Sequence, residues 1–131
     1  MATQIMVRDE SMSGKIVNEW TLDLLAERIT VRELIRSRVY QEVQDYNRQS
    51  GDIFQGLVQP NDSEAALNGY RLRERRQIDW REQFNRAIDA FQANQVLVLV
   101  NDRQVAELDE TIEITPSSYV SFLRLTMLVG G

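Results

Sequence analysis

Residues 96–100 read Val-Leu-Val-Leu-Val, an unbroken apolar run set between polar neighbours on both sides. Five consecutive apolar residues rich in valine favour a strand, and a run with no polar position fits a strand buried on both faces. Such a strand needs hydrogen-bonded neighbours and covering layers, so the rest of the chain must supply a sheet and something to lay on it.

The other segments name the parts. Gln4–Asp9 reads as a short strand, Ser11–Lys15 as a turn in which Gly14 is free to take positive φ, and Ile16–Leu24 as a partly alternating second strand, together a hairpin. Thr30-Val31-Arg32-Glu33 is a capping box that opens a helix. Behind it Val31, Leu34, Ile35, Val39, Val43 and Tyr46 form one apolar stripe, opposed by Arg32, Arg36, Gln41 and Asp45, and the helix fades near 47–51. Residues 51–77 are irregular, with Pro60–Glu64 placed to cap a single helical turn through Leu67 that Asn68-Gly69 ends. Asp79-Trp80-Arg81-Glu82 resembles a second capping box, and Trp80, Phe84, Ile88 and Phe91 share one face, expected in the core. After the 96–100 strand come a turn at Asn101–Gln104, a short alternating stretch at Thr111–Ile114, a turn at Pro116–Ser118 and a last strand at Tyr119–Leu125.

The order is strand, strand, helix, helical insert, strand, short strand, strand. It predicts an α+β protein: one domain over 1–131, in which a mixed sheet packs on one main helix. The first and last strands lie parallel at the centre, and a helical insertion of about 48–93 precedes the third main strand. This is the β-grasp arrangement.

Composition narrows function. The chain has 131 residues, no cysteine and no histidine, which removes disulfides, thiolate nucleophiles, the usual zinc sites and the commonest general base near neutral pH. No calcium loop, G-x-S-x-G, P-loop or G-x-G-x-x-G is present, so neither a metal nor another cofactor is expected, and no catalysis by the chain alone. A net charge of −5 argues against nucleic acid, and the absence of a long apolar run or signal segment argues against a membrane and for a cytoplasmic place. Of the 15 cations only Lys15 is a lysine.

With that order established, the termini resemble ubiquitin and its relatives. TQIMVRDESMSGKIVNEWTLDL is similar to ubiquitin's opening hairpin, and VLVLVNDRQVAELDETIEITPSSYVSFLRLTMLVGG to its second half, ending in Gly130-Gly131. The same half resembles the small subunit of molybdopterin synthase and the thiamine sulfur carrier, with Val100-Asn101 matching their V-N pair. The likeness covers roughly residues 3–46 and 94–131. It implies a protein modifier: Gly131 is adenylated by an ATP-using activating enzyme, held as a thioester, and passed by a conjugating enzyme to a target in an isopeptide or ester bond. A deconjugating peptidase would reverse the step. Two glycines give reach and a narrow profile inside an adenylation pocket.

Met127, Leu128 and Val129 make a partner's handle, and Met127 and Val129 stand where ubiquitin carries arginines, which implies a dedicated bacterial partner. By analogy with bacterial operons that pair such proteins with activating and conjugating enzymes, antiviral defence is implied. Lys15 is the one possible chain-linkage acceptor. Arg71, Arg73, Arg75 and Arg76 read either as a solvated face or as a docking patch for an acidic partner. Two other readings stand beside the modifier: a sulfur carrier that ends in a thiocarboxylate, and a non-covalent β-grasp binding module.

Overall fold

The computed structural model describes residues 3–49, 51–66 and 69–125. Among these the chain is α+β, and it divides into two compact units: Met1–Leu34 with Ala90–Gly131, and Ile35–Asp89.

The first unit is built on a five-stranded mixed sheet. Strands β1 (Thr3–Glu10) and β2 (Ile16–Leu24) form the expected antiparallel hairpin, whose turn places Gly14 at φ 84°. A short β3 (Arg28–Thr30) leads into helix α1 (Val31–Arg48). The capping box is formed as read: the Glu33 amide donates to Thr30 Oγ1 at 3.1 Å, and the Thr30 amide donates to Glu33 Oε1 at 3.3 Å. The next two helical amides, Val31 and Arg32, donate to the carbonyls of Glu110 and Leu108, each at 3.0 Å, so a distant loop satisfies donors that a helix start leaves open.

The second unit carries most of α1 and three short strands: β4 (Ile53–Phe54), β5 (Ser63–Ala66) and β6 (Gly69–Leu72). They form an antiparallel sheet in the order β4-β6-β5. The helical turn expected from Pro60 is therefore a strand. Gly69 explains the difference: it sits at φ 151°, and a Cβ there would lie 2.5 Å from the Phe54 carbonyl oxygen, so the chain reverses into β6 against the backbone of β4. The insertion read as irregular at 51–77 with a helix behind it is thus a small sheet followed by helix α2 (Trp80–Gln92).

Helix α2 starts as read, with the Arg81 amide donating to Asp79 Oδ1 at 3.1 Å. Glu82 does not close the box; its carboxylate accepts from the Asn61 side-chain amide. The buried line is Gln83, Ala87, Ala90 and Phe91, while Trp80, Phe84 and Ile88 stay half-buried. Of the aromatic face assigned to the core, only Phe91 is buried there.

Past α2 the chain returns to the first unit through β7 (Val96–Val100), β8 (Arg103–Val105), β9 (Thr111–Glu113) and β10 (Tyr119–Arg124). The main sheet runs β2-β1-β10-β7-β8, and β9 pairs with β3 in a separate two-stranded sheet. Strands β1 and β10 are parallel neighbours at the centre, Val7 beside Val120, as the strand order requires. Val96, Val98 and Val100 are buried, whereas Leu97 and Leu99 are half-buried. The run is therefore covered on one face and partly open on the other. Ile5, Val7, Leu22, Leu24, Val105, Val120 and Phe122 are the other buried apolar residues of this sheet.

Candidate functional site

Strand β10 is held at both ends. At its start, Asn101 and Asp102 form the β7–β8 turn at φ 50° and 68°, a pair of positive values that two-residue hairpin turns demand and that Asn and Asp tolerate. The same Asn101 binds Tyr119 twice: the Tyr119 amide donates to Asn101 Oδ1 and the Asn101 amide to the Tyr119 carbonyl, each at 3.0 Å. At the far end, the Leu125 amide donates to the Gln95 carbonyl at 2.9 Å, so the backbone stays tied to the entrance of β7 one residue beyond the strand. Leu125 is half-buried and lies one residue past β10, which ends at Arg124 rather than at Leu125 as expected. Beside it the Arg124 guanidinium lies 3.7 Å from the carboxylate of Asp9, a residue only 3% exposed.

The expected reacting residues Gly130 and Gly131, and the handle Met127, Leu128 and Val129, lie outside the described residues. Lys15 is exposed where the β1–β2 turn enters β2, and its carbonyl accepts from the Ser11 amide at 2.9 Å.

The arginine cluster divides in two. Arg75 binds the carbonyls of Tyr46 and Gln49 at the end of α1, with its guanidinium 4.2 Å from the centre of the Tyr46 ring. It thereby satisfies helix-end carbonyls and complements the negative end of the helix. Arg76 donates to the Asn61 carbonyl at 2.8 Å. Arg71 and Arg73 are exposed and have no side-chain partner among the described residues.

One surface the sequence did not single out stands on α1 and α2 in the second unit. The rings of Tyr40 and Trp80 meet edge to face at 5.4 Å, and the guanidiniums of Arg36 and Arg81 each lie 5.1 Å from the Trp80 ring. Tyr40 is 45% exposed. Period-3.6 reading placed Trp80 inside; the signal available was an arginine directly after it and another on the polar face of α1.

On the main sheet, Arg8 lies 4.6 Å from the centre of the Tyr119 ring and 3.2 Å from Glu19, a charge contact in which its Nε is not aligned for a hydrogen bond. The Tyr119 hydroxyl donates to Asp102. That bond holds the phenol above its ordinary pKa, burial and nearby negative charge add to the rise, and Arg8 opposes it. A shallow cavity of about 340 Å³ in the second unit is lined by Glu42, Asp45, Tyr46 and Asp52. Glu42 there already serves Arg38 and the Leu57 amide, and Asp45 serves Gln41 and Arg48.

Among the described residues no group of acidic side chains is placed to hold a metal ion, and no helix is long and apolar enough to cross a membrane. No family model, curated protein or solved structure matches the chain.

Proposed function

We propose that the chain is a β-grasp protein modifier, conjugated through the carboxyl of Gly131. The observation that carries the reading is the strand order β2-β1-β10-β7-β8 with its parallel central pair β1–β10. In that order the chain leaves the sheet from a central strand, and Leu125 is the last described residue tied to it. The segment beyond runs through Met127, Leu128 and Val129 to Gly130-Gly131.

The chemistry belongs to partners. An activating enzyme lets a Gly131 carboxylate oxygen attack the α-phosphorus of ATP, and pyrophosphate leaves. A partner thiolate then attacks the acyl-adenylate and AMP leaves, giving a thioester. A target amine finally displaces the thiol and forms the amide. The carboxyl must be that of the chain end, as written or after trimming by a peptidase. A lone lysine, Lys15, leaves few amines of its own to compete as acceptors. The dedicated enzymes implied are bacterial, and antiviral defence stands as an analogy.

The test is denaturing electrophoresis of the N-terminally tagged protein from its native host, with and without reductant, beside a variant lacking Gly130 and Gly131. Heavier bands that survive reduction and vanish in the deletion support the modifier. A chain in which sulfur replaces one oxygen would make it a sulfur carrier. Unchanged function in the deletion would leave a non-covalent binding module.

A further inference from the structure

Leu25 is the most exposed large apolar side chain among the described residues, at 85%. It follows β2 directly, between Asp23 and Glu27, both exposed. Asp23 accepts only from the neutral Gln4 amide, and the Glu27 carboxylate has no partner among the described residues. Leu25 therefore presents an aliphatic knob to solvent between two carboxylates.

The ledge on α1 and α2 is its complement. Tyr40 offers an exposed aromatic surface beside Trp80, and the guanidiniums of Arg36 and Arg81 lie over the Trp80 ring. Neither guanidinium has a carboxylate partner among the described residues. A guanidinium lying against an indole can still offer N–H groups to a carboxylate in its own plane. The wider charge distribution agrees. Residues 35–89 hold nine of the fifteen cations and nine of the twenty carboxylates, so that unit is neutral and the whole excess of five negative charges falls on the unit that carries Leu25.

We propose that the chain associates with a second copy of itself head to tail, Leu25 of one molecule seating on the Tyr40–Trp80 ledge of the next, with Asp23 and Glu27 meeting Arg36 and Arg81. An aliphatic anchor on an aromatic surface, rimmed by charge pairs of opposite sign, is the arrangement that concentrates binding energy and fixes orientation. The two surfaces differ, so the contact is heterologous and each molecule keeps one free knob and one free ledge; growth continues to a ring or a short filament. This association is independent of the modifier reading and needs neither Gly130 nor Gly131.

Sedimentation velocity of the purified full chain, from about 1 µM to about 500 µM, tests it. The wild type is expected to shift from one chain to higher multiples with concentration, and to shift less in high salt. Leu25→Glu and the double variant Arg36→Glu/Arg81→Glu should each weaken association at least about tenfold. All three side chains are exposed, and Leu25→Ser replaces Leu25→Glu should the latter lower the melting temperature.

The decisive sample is an equal mixture of the knob variant and the ledge variant. Each retains the surface the other lacks, so the mixture should form a one-to-one dimer that grows no further. A wild type that stays a single chain throughout overturns the proposal. So does a mixture that fails to associate, or an oligomer indifferent to both variants, as pairing through the open edge of β2 would give.

Discussion

Arg38 and Glu42 stand one turn apart on α1 and form a buried ion pair, Arg38 Nε donating to Glu42 Oε2 at 3.2 Å with the Arg38 side chain only 1% exposed. The other Glu42 oxygen accepts from the Leu57 amide at 3.0 Å, so one carboxylate joins the helix to the loop after β4. Removing one partner takes a buried counter-charge from the other. Glu42→Ala should cost about 3–5 kcal/mol in urea unfolding, whereas Arg38→Met with Glu42→Leu together should cost clearly less. A double variant that loses as much as Glu42→Ala would contradict a cost that comes from breaking the pair.

Asn47 makes a two-way bond with the backbone of Ile78: its side-chain amide donates to the Ile78 carbonyl at 3.0 Å, and the Ile78 amide donates to its Oδ1 at 2.9 Å. The side chain thus imitates a strand partner and sets where the chain enters α2. Asn47→Leu leaves both backbone groups unpaired, and a loss of about 1–3 kcal/mol is expected in thermal or urea unfolding. Asn47→Asp keeps the acceptor and loses the donor, so it should fall between the two. A neutral Asn47→Leu would show that water replaces the bond.

Tyr119 gives a pH signature. Its phenol is raised because Asp102 accepts its proton in a hydrogen bond. A folded-state value above the unfolded one means stability that is whole below the ordinary tyrosine range and is lost as pH rises through the folded value. Ultraviolet difference titration should show a tyrosine that ionises above the ordinary tyrosine range. Asp102→Asn should move it back toward the ordinary range, and Arg8→Gln should move it further up. A titration unchanged by Asp102→Asn would contradict the assignment.

Local signals in the sequence were enough for the hairpin, the Thr30–Glu33 cap, the stripe of α1 and the strands at 96–100 and 119–124, because each is written within a few consecutive residues. The parallel seat of β10 beside β1 also followed from element order. The sheet of β4, β5 and β6 was hidden. Its strands are two to four residues long, too short to show alternation, and Pro60-Asn61-Asp62-Ser63 carries the same residues a helix cap would. What decides it is Gly69 lying against Phe54, a contact between distant positions.

The pairing of β3 with β9, and the loop carbonyls that cap α1, were hidden for the same reason. Arg38 escaped notice because a charged residue on a helix reads as surface until its carboxylate partner one turn away is seen to be buried with it. The aromatic ledge was misread in the other direction: helical spacing reports which residues share a face, not whether anything covers it. Of the expected site, Lys15 lies exposed as a turn residue should, while half of the arginine cluster is spent on carbonyls.

Trypsin cuts after Arg124, so a target joined to Gly131 would keep the remnant Leu-Thr-Met-Leu-Val-Gly-Gly on its acceptor residue. The decisive measurement is therefore peptide sequencing by mass spectrometry of the tagged protein's denatured, affinity-purified adducts from its native host. Lysines carrying that remnant, absent from the variant lacking Gly130 and Gly131, are the expected result. Recovery of residues 125–131 only as a free peptide, under conditions in which the protein is functional, would contradict conjugation through Gly131.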